Sequence, residues 1–188
     1  IFKMINLMKA LGMNNAIAPT YFDSITKNPL HRLSYGLYGV LRDIVSYLIF
    51  ATPLGKNKMG KVSKKIGINY GVDYNALKKN FTRVEWLPGG CVLHNKKNLI
   101  LTDYYPFKGK AYCEDLIHSH FLQDKQIKLW VNKDSKCYTP KPEFPKSYSE
   151  VIKYTTAFKY YNSLKFSKSL RMNFWYFYTL YIRRFISL

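Results

Sequence analysis

Thirty lysines and arginines stand against eleven aspartates and glutamates in this chain, and the resulting charge of +19 is concentrated at its two ends. Residues 1–84 carry 13 basic and 3 acidic side chains, and residues 151–188 carry 7 basic and no acidic ones. Between them, residues 85–150 are nearly balanced, with 10 basic and 8 acidic. A surplus of this size repels itself unless a polyanion neutralises it. The pattern is that of a compact body with basic arms laid along phosphates, so nucleic acid is the first partner to consider and an anionic membrane surface the second. A disordered basic tail is excluded, because 47% of the residues are apolar and 17% aromatic. The length of 188 residues suits one domain with extensions.

Composition narrows the source and the compartment. Lys outnumbers Arg by 24 to 6, although Arg is the better fork for phosphate. Together with the abundance of Phe, Tyr, Ile and Asn, this points to an AT-rich gene of the kind found in many organellar genomes. Three cysteines, Cys91, Cys113 and Cys137, form no CxxC pair and suggest a reducing compartment. Residues 1–12 contain neither a long apolar run with a small-residue cleavage site nor a mitochondrial presequence, as expected of an organelle-encoded chain.

Periodicity predicts an α+β fold, a small mixed β-rich body with helical and extended basic extensions at both termini. A short helix holds Ile5, Leu7, Met8 and Leu11 before Gly12, and residues 13–32 read as an extended segment. Leu37, Val40, Leu41, Ile44, Val45 and Leu48 recur at helical spacing, and Pro53 ends that helix. Residues 55–67 then place five lysines and three glycines in what reads as a flexible cationic loop. Strands are expected at Val84–Leu87, Cys91–His94, Leu99–Thr102 and Gln126–Asn132, and helices at 111–121 and 149–165. The implied organisation is a basic extension over 1–83, a body over 84–138, and a proline linker with a basic aromatic helical extension over 139–188.

No motif announces chemistry. Cys113, His118 and His120 are close in sequence, but zinc sites use paired knuckles that are missing here. Adjacent Glu114 and Asp115 diverge on a helix, which does not suggest paired carboxylate catalysis. Neither glycine stretch gives a phosphate-loop pattern. The expectation is a protein that is not an enzyme, with no metal, cofactor or small-molecule substrate. The aromatic run between Arg171 and Arg183 has eleven residues, short of the ~20 a span needs, so membrane contact is not expected. Those rings are expected to pack on a neighbouring protein or stack on RNA. Phosphate contacts are expected from Lys56, Lys58, Lys61, Lys64 and Lys65 of the loop, from Lys78 and Lys79, and from Lys159, Lys165, Lys168, Arg171, Arg183 and Arg184. Tyr160, one of the less periodic rings, is the candidate for base stacking.

The basic ends, the lysine–glycine stretch at 55–67, the proline segments and the AT-driven composition resemble those of divergent, organelle-encoded ribosomal proteins of mitochondrial ribosomes. That resemblance implies a structural role in the mitochondrial matrix, clamping ribosomal RNA and neighbouring mitochondrial ribosomal proteins. A second resemblance covers about twenty residues: Glu85, Trp86, Gly89 and the run Ile100-Leu101-Thr102-Asp103-Tyr104 are similar to a stretch of the hydrophilic quinone-module subunit of respiratory complex I. The arginines and acidic turn around that stretch are missing here. The alternative is therefore an accessory subunit of an inner-membrane respiratory complex.

Overall fold

A computed structural model describes residues 1–31, 37–50, 52, 54–63, 66–141, 147–166, 170–178 and 181, without the side chains of 38, 39, 42, 50, 55 and 56. Among the described residues, five helices and a four-stranded mixed sheet make an α+β fold. In chain order these are α1 (Phe2–Leu11), β1 (Asn15–Asp23), α2 (Leu37–Phe50), β2 (Phe81–Val84), β3 (Leu93–His94), α3 (Glu114–Asp124), β4 (Lys128–Thr139), α4 (Tyr148–Lys165) and α5 (Leu170–Phe177). Single 3-10 turns lie at Gly55–Lys58 and Lys96–Asn98.

The sheet runs β2-β4-β1-β3, and its two long strands, β1 and β4, are parallel neighbours. β1 comes from the stretch read as extended in sequence, and all nine of its residues are buried. A strand with partners on both sides and cover on both faces has no solvent side, so its polar side chains Asn15, Thr20 and Asp23 are satisfied by hydrogen bonds within the fold. On one face Met4 and Met8 of α1, four apart, meet Ile17 and Trp130. Gly12, at φ 88°, ends α1 and turns the chain into β1. On the other face Ala16, Ala18, Leu129 and Val131 pack with Leu87 and with Leu122 of α3.

A second core joins the helices. Ile66, Trp86, Ile117, Phe158, Tyr161 and Trp175 form one buried cluster that draws on α3, α4, α5 and the lysine–glycine segment. α4 begins with a capping box between Ser147 and Glu150, and acidic Glu114 and Asp115 sit at the positive end of α3. Both basic flanks thus enter the core. Trp175 and Tyr176, from the aromatic run expected to face a partner, pack beside Phe158 instead; Phe174 and Phe177 remain exposed.

Three strand expectations shift. The one at 126–132 is the first half of a strand that continues to Thr139, the one at 84–87 ends at Val84, and Leu99–Thr102 is not a strand. Within Ile100–Tyr104, Leu101 is 89% exposed, while Ile100 and Tyr104 are partly buried against the cores.

Candidate nucleic-acid interface

Among the described residues every Lys and Arg side chain is exposed except Lys58, Lys133 and Lys165. Two of the described lysines form ion pairs, Lys58 with Asp43 and Lys141 with Asp23. The cations singled out from sequence fall into three groups. Lys61, Lys78, Lys79, Lys159 and Arg171 are exposed. Lys58 and Lys165 are engaged within the fold. Lys64, Lys65, Lys168, Arg183, Arg184 and the side chain of Lys56 lie outside the described residues.

The segment 55–67 is anchored rather than loose. Residues 61–63 pair with residues 68–70: Lys61 O accepts from Tyr70 N at 2.9 Å, Ser63 N donates to Ile68 O at 2.8 Å, and Val62 bridges Asn69. Val62 and Ile66 lie among the lysines, and burying them holds the segment against α3 and α4. Gly67, at φ 74°, lies so close to α4 that an added Cβ would sit 1.7 Å from Asn162 Oδ1. Lys58 is buried, its ammonium held by the Asp43 carboxylate of α2 with the Tyr70 ring 5.7 Å away. Its charge is neutralised internally.

The aromatic candidates are similarly occupied. Tyr160 is half-buried and meets Phe107 edge-on at 5.6 Å. Lys159 reaches over the Tyr176 ring at 6.0 Å, and Lys165 donates to Gln123 Oε1 at 2.9 Å.

A different cluster, built on β1 and β4, brings rings and cations together. The two strands stay in register until Pro19 pairs with Asn132; Thr20 then pairs with Lys136, so Lys133–Ser135 are extra residues on β4. The Thr20 hydroxyl holds this bulge by donating to Ser135 O at 3.0 Å. The kink also changes which residues of β1 meet the core, from Ala16 and Ala18 before it to Tyr21 after it, where the Tyr21 hydroxyl accepts from Cys91 N at 2.8 Å. Phe22, Lys136 and Tyr138 fall on the opposite face. There Phe22 meets Tyr74 at 5.2 Å and Tyr138 at 5.7 Å. Lys136 sits 5.1 Å from the Phe22 centroid and 5.2 Å from that of Tyr74, Lys133 lies 5.1 Å from Tyr74, and Lys27 lies 4.9 Å from Tyr138. Lys133 also donates from Nζ to Leu77 O and from its backbone to Asn80 O, both at 2.8 Å, which brings the segment bearing Lys78 and Lys79 to the end of this row.

Three acids adjoin the row in sequence: Asp134, beside Lys133, is exposed, whereas Asp23 beside Phe22 and Asp73 beside Tyr74 are buried. Asp23 accepts from Ile25 N at 3.0 Å and from the Thr26 hydroxyl at 2.8 Å, and these bonds hold its carboxyl below the ordinary range. They close the turn in which Lys27 takes a left-handed φ of 57°. Lys27, Lys133 and Lys136 were not singled out from sequence. Their signal was the i, i+2 spacing of Lys136 and Tyr138, legible only if the strand is carried past Asn132.

Elsewhere, His94 and His118 meet edge-on at 5.4 Å, and burial lowers the pKa of both. Among the described residues no group of three or more His, Cys, Asp or Glu is placed to hold a metal ion, and no helix is long and apolar enough to cross a membrane. Compared with known protein families, curated proteins and solved structures, the chain matches none.

Proposed function

We propose that this chain is a structural constituent of a mitochondrial ribosome, holding ribosomal RNA through its lysine-rich surface and neighbouring ribosomal proteins through its exposed apolar helices, with no chemistry of its own. The observation that carries this reading is a charge of +19 whose described cations are exposed in all but three cases. Such a surface is compensated most directly by polyphosphate. The AT-driven composition supports the organellar assignment.

Salt dependence is the test. Neutralising six or more phosphates releases their counterions, so affinity for an rRNA fragment falls about a thousandfold or more between 50 and 200 mM salt. Sedimentation with ribosomal particles is the companion measurement. Weak or salt-insensitive RNA binding by the full chain overturns the reading. A second reading, an accessory subunit of an inner-membrane respiratory complex, is favoured by one feature: α2 exposes Leu37, Val40, Leu41, Val45, Leu48 and Ile49. An apolar surface of this kind calls for a covering partner. It requires the chain to fractionate with detergent-solubilised respiratory complexes instead of ribosomal particles.

A further inference from the structure

The row of rings and lysines across β1 and β4 offers more than a general affinity for phosphate, and its role rests on the RNA-binding function proposed for the chain. We infer that Tyr138, Phe22 and Tyr74, with Lys27, Lys133 and Lys136 among them, form a stacking platform for unpaired bases of single-stranded RNA.

Three features carry the assignment. Tyr138 is 50% exposed and Tyr74 half-buried, while Phe22 between them is only 5% exposed. The outer rings therefore present surface, and the inner one fixes their positions. The cations are held in place beside the rings, each within 5.3 Å of a centroid, whereas a lysine on an ordinary surface sweeps freely. Finally, Asp23, which adjoins Phe22 in sequence, is engaged by Ile25, Thr26 and Lys141. Rings flanked by ordered ammonium groups match the two parts of a nucleotide, a π face and a phosphate. A duplex hides its base faces in its own stack, so it can offer only the phosphates. Unpaired bases can use both.

The experiment measures binding of the full chain to three fluorescent probes of equal charge: an oligouridine, an abasic strand of the same length, and an RNA hairpin duplex. Wild-type protein is expected to prefer the oligouridine to the abasic strand. Tyr138→Leu removes an exposed ring and is expected to weaken oligouridine binding about tenfold, leaving the other two probes within a factor of about two. Tyr138→Phe, which keeps the ring, restores the preference. A matching urea midpoint confirms that the Leu variant is folded. Equal weakening of all three probes, or of none, overturns the platform while leaving salt-dependent RNA binding intact. Failure of wild-type protein to bind any of the three overturns the RNA-binding reading as well.

Discussion

Residues 55–67 and residues 133–139 both carry lysines, and the fold treats them in opposite ways. The first stretch is the denser, with five lysines, yet Val62 and Ile66 between them are buried and Lys58 is drawn into an internal ion pair. The second has two lysines on a strand whose outer face carries Tyr138. There exposed Lys136 rests beside the Phe22 and Tyr74 rings, while half-buried Lys133 lies beside Tyr74 and donates to Leu77 O. Lysine density says how much charge a segment has. The apolar residues between the lysines decide whether the segment is free to offer it, because burying two branched side chains outweighs the freedom of a short loop.

The largest expected effect tests that anchoring. Gly67→Ala adds a Cβ at a left-handed φ and drives it into Asn162, which is almost fully buried and has no room to retreat. A loss of about 3 kcal/mol in urea unfolding is expected. Gly109→Ala shares the left-handed φ but meets nothing within 4 Å, so about 1 kcal/mol is expected there. Equal losses at the two sites would mean that the lysine–glycine segment is not seated on α4.

Next in size is the contrast within the segment. Lys58→Gln removes the ammonium that holds the Asp43 carboxylate, which is only 18% exposed, and should cost about 1–3 kcal/mol. Lys61→Gln changes an exposed side chain and should cost no more than about 0.5 kcal/mol. The order reverses for RNA. Lys61→Gln, Lys78→Gln and Lys79→Gln should each lower the salt slope of binding by about 1, while Lys58→Gln leaves it unchanged. A fall in slope at Lys58 would show that the pair with Asp43 opens to phosphate.

Legibility in the sequence divides along the same line. Helical periods are readable: α1 stops at Gly12, and the period over 149–165 matches α4, whose capping box adds its first turn. The α+β class followed from them and from the alternation around Leu129. β1 reads only as extended, because Asn15, Pro19 and Thr20 interrupt its apolar pattern, and its burial depends on pairing with a strand more than a hundred residues away. The second half of β4, Lys133–Thr139, shows no alternation because a bulge changes its phase. That is where the ring-and-lysine row sits. Charge totals suggest a partner class, but which lysines lie together on one face is settled by long-range pairing that local pattern does not contain.

The smallest effect concerns the turn that holds Lys27. Bonds from Ile25 N and the Thr26 hydroxyl hold the Asp23 carboxyl below its ordinary range, so its ionised form is preferred in the folded chain. That contribution is present above the unfolded-state value, near pH 4, and is lost as the pH falls through the lower folded value. Asp23→Asn lacks it at every pH. The gap in stability between wild type and Asp23→Asn should therefore be widest near neutrality and close as the pH drops below about 4, which urea midpoints across this range would measure. A gap independent of pH would mean that the charge on Asp23 does not hold the turn. Loosening the turn also frees Lys27 from Tyr138, and loss of one exposed cation–π contact should weaken oligouridine binding by about twofold. The seating of Gly67 should not change, since residues 55–67 share no hydrogen bond with this turn among the described residues. If Asp23→Asn also reproduced part of the Gly67→Ala instability, the two lysine regions would be one cooperative unit instead of two surfaces with separate supports.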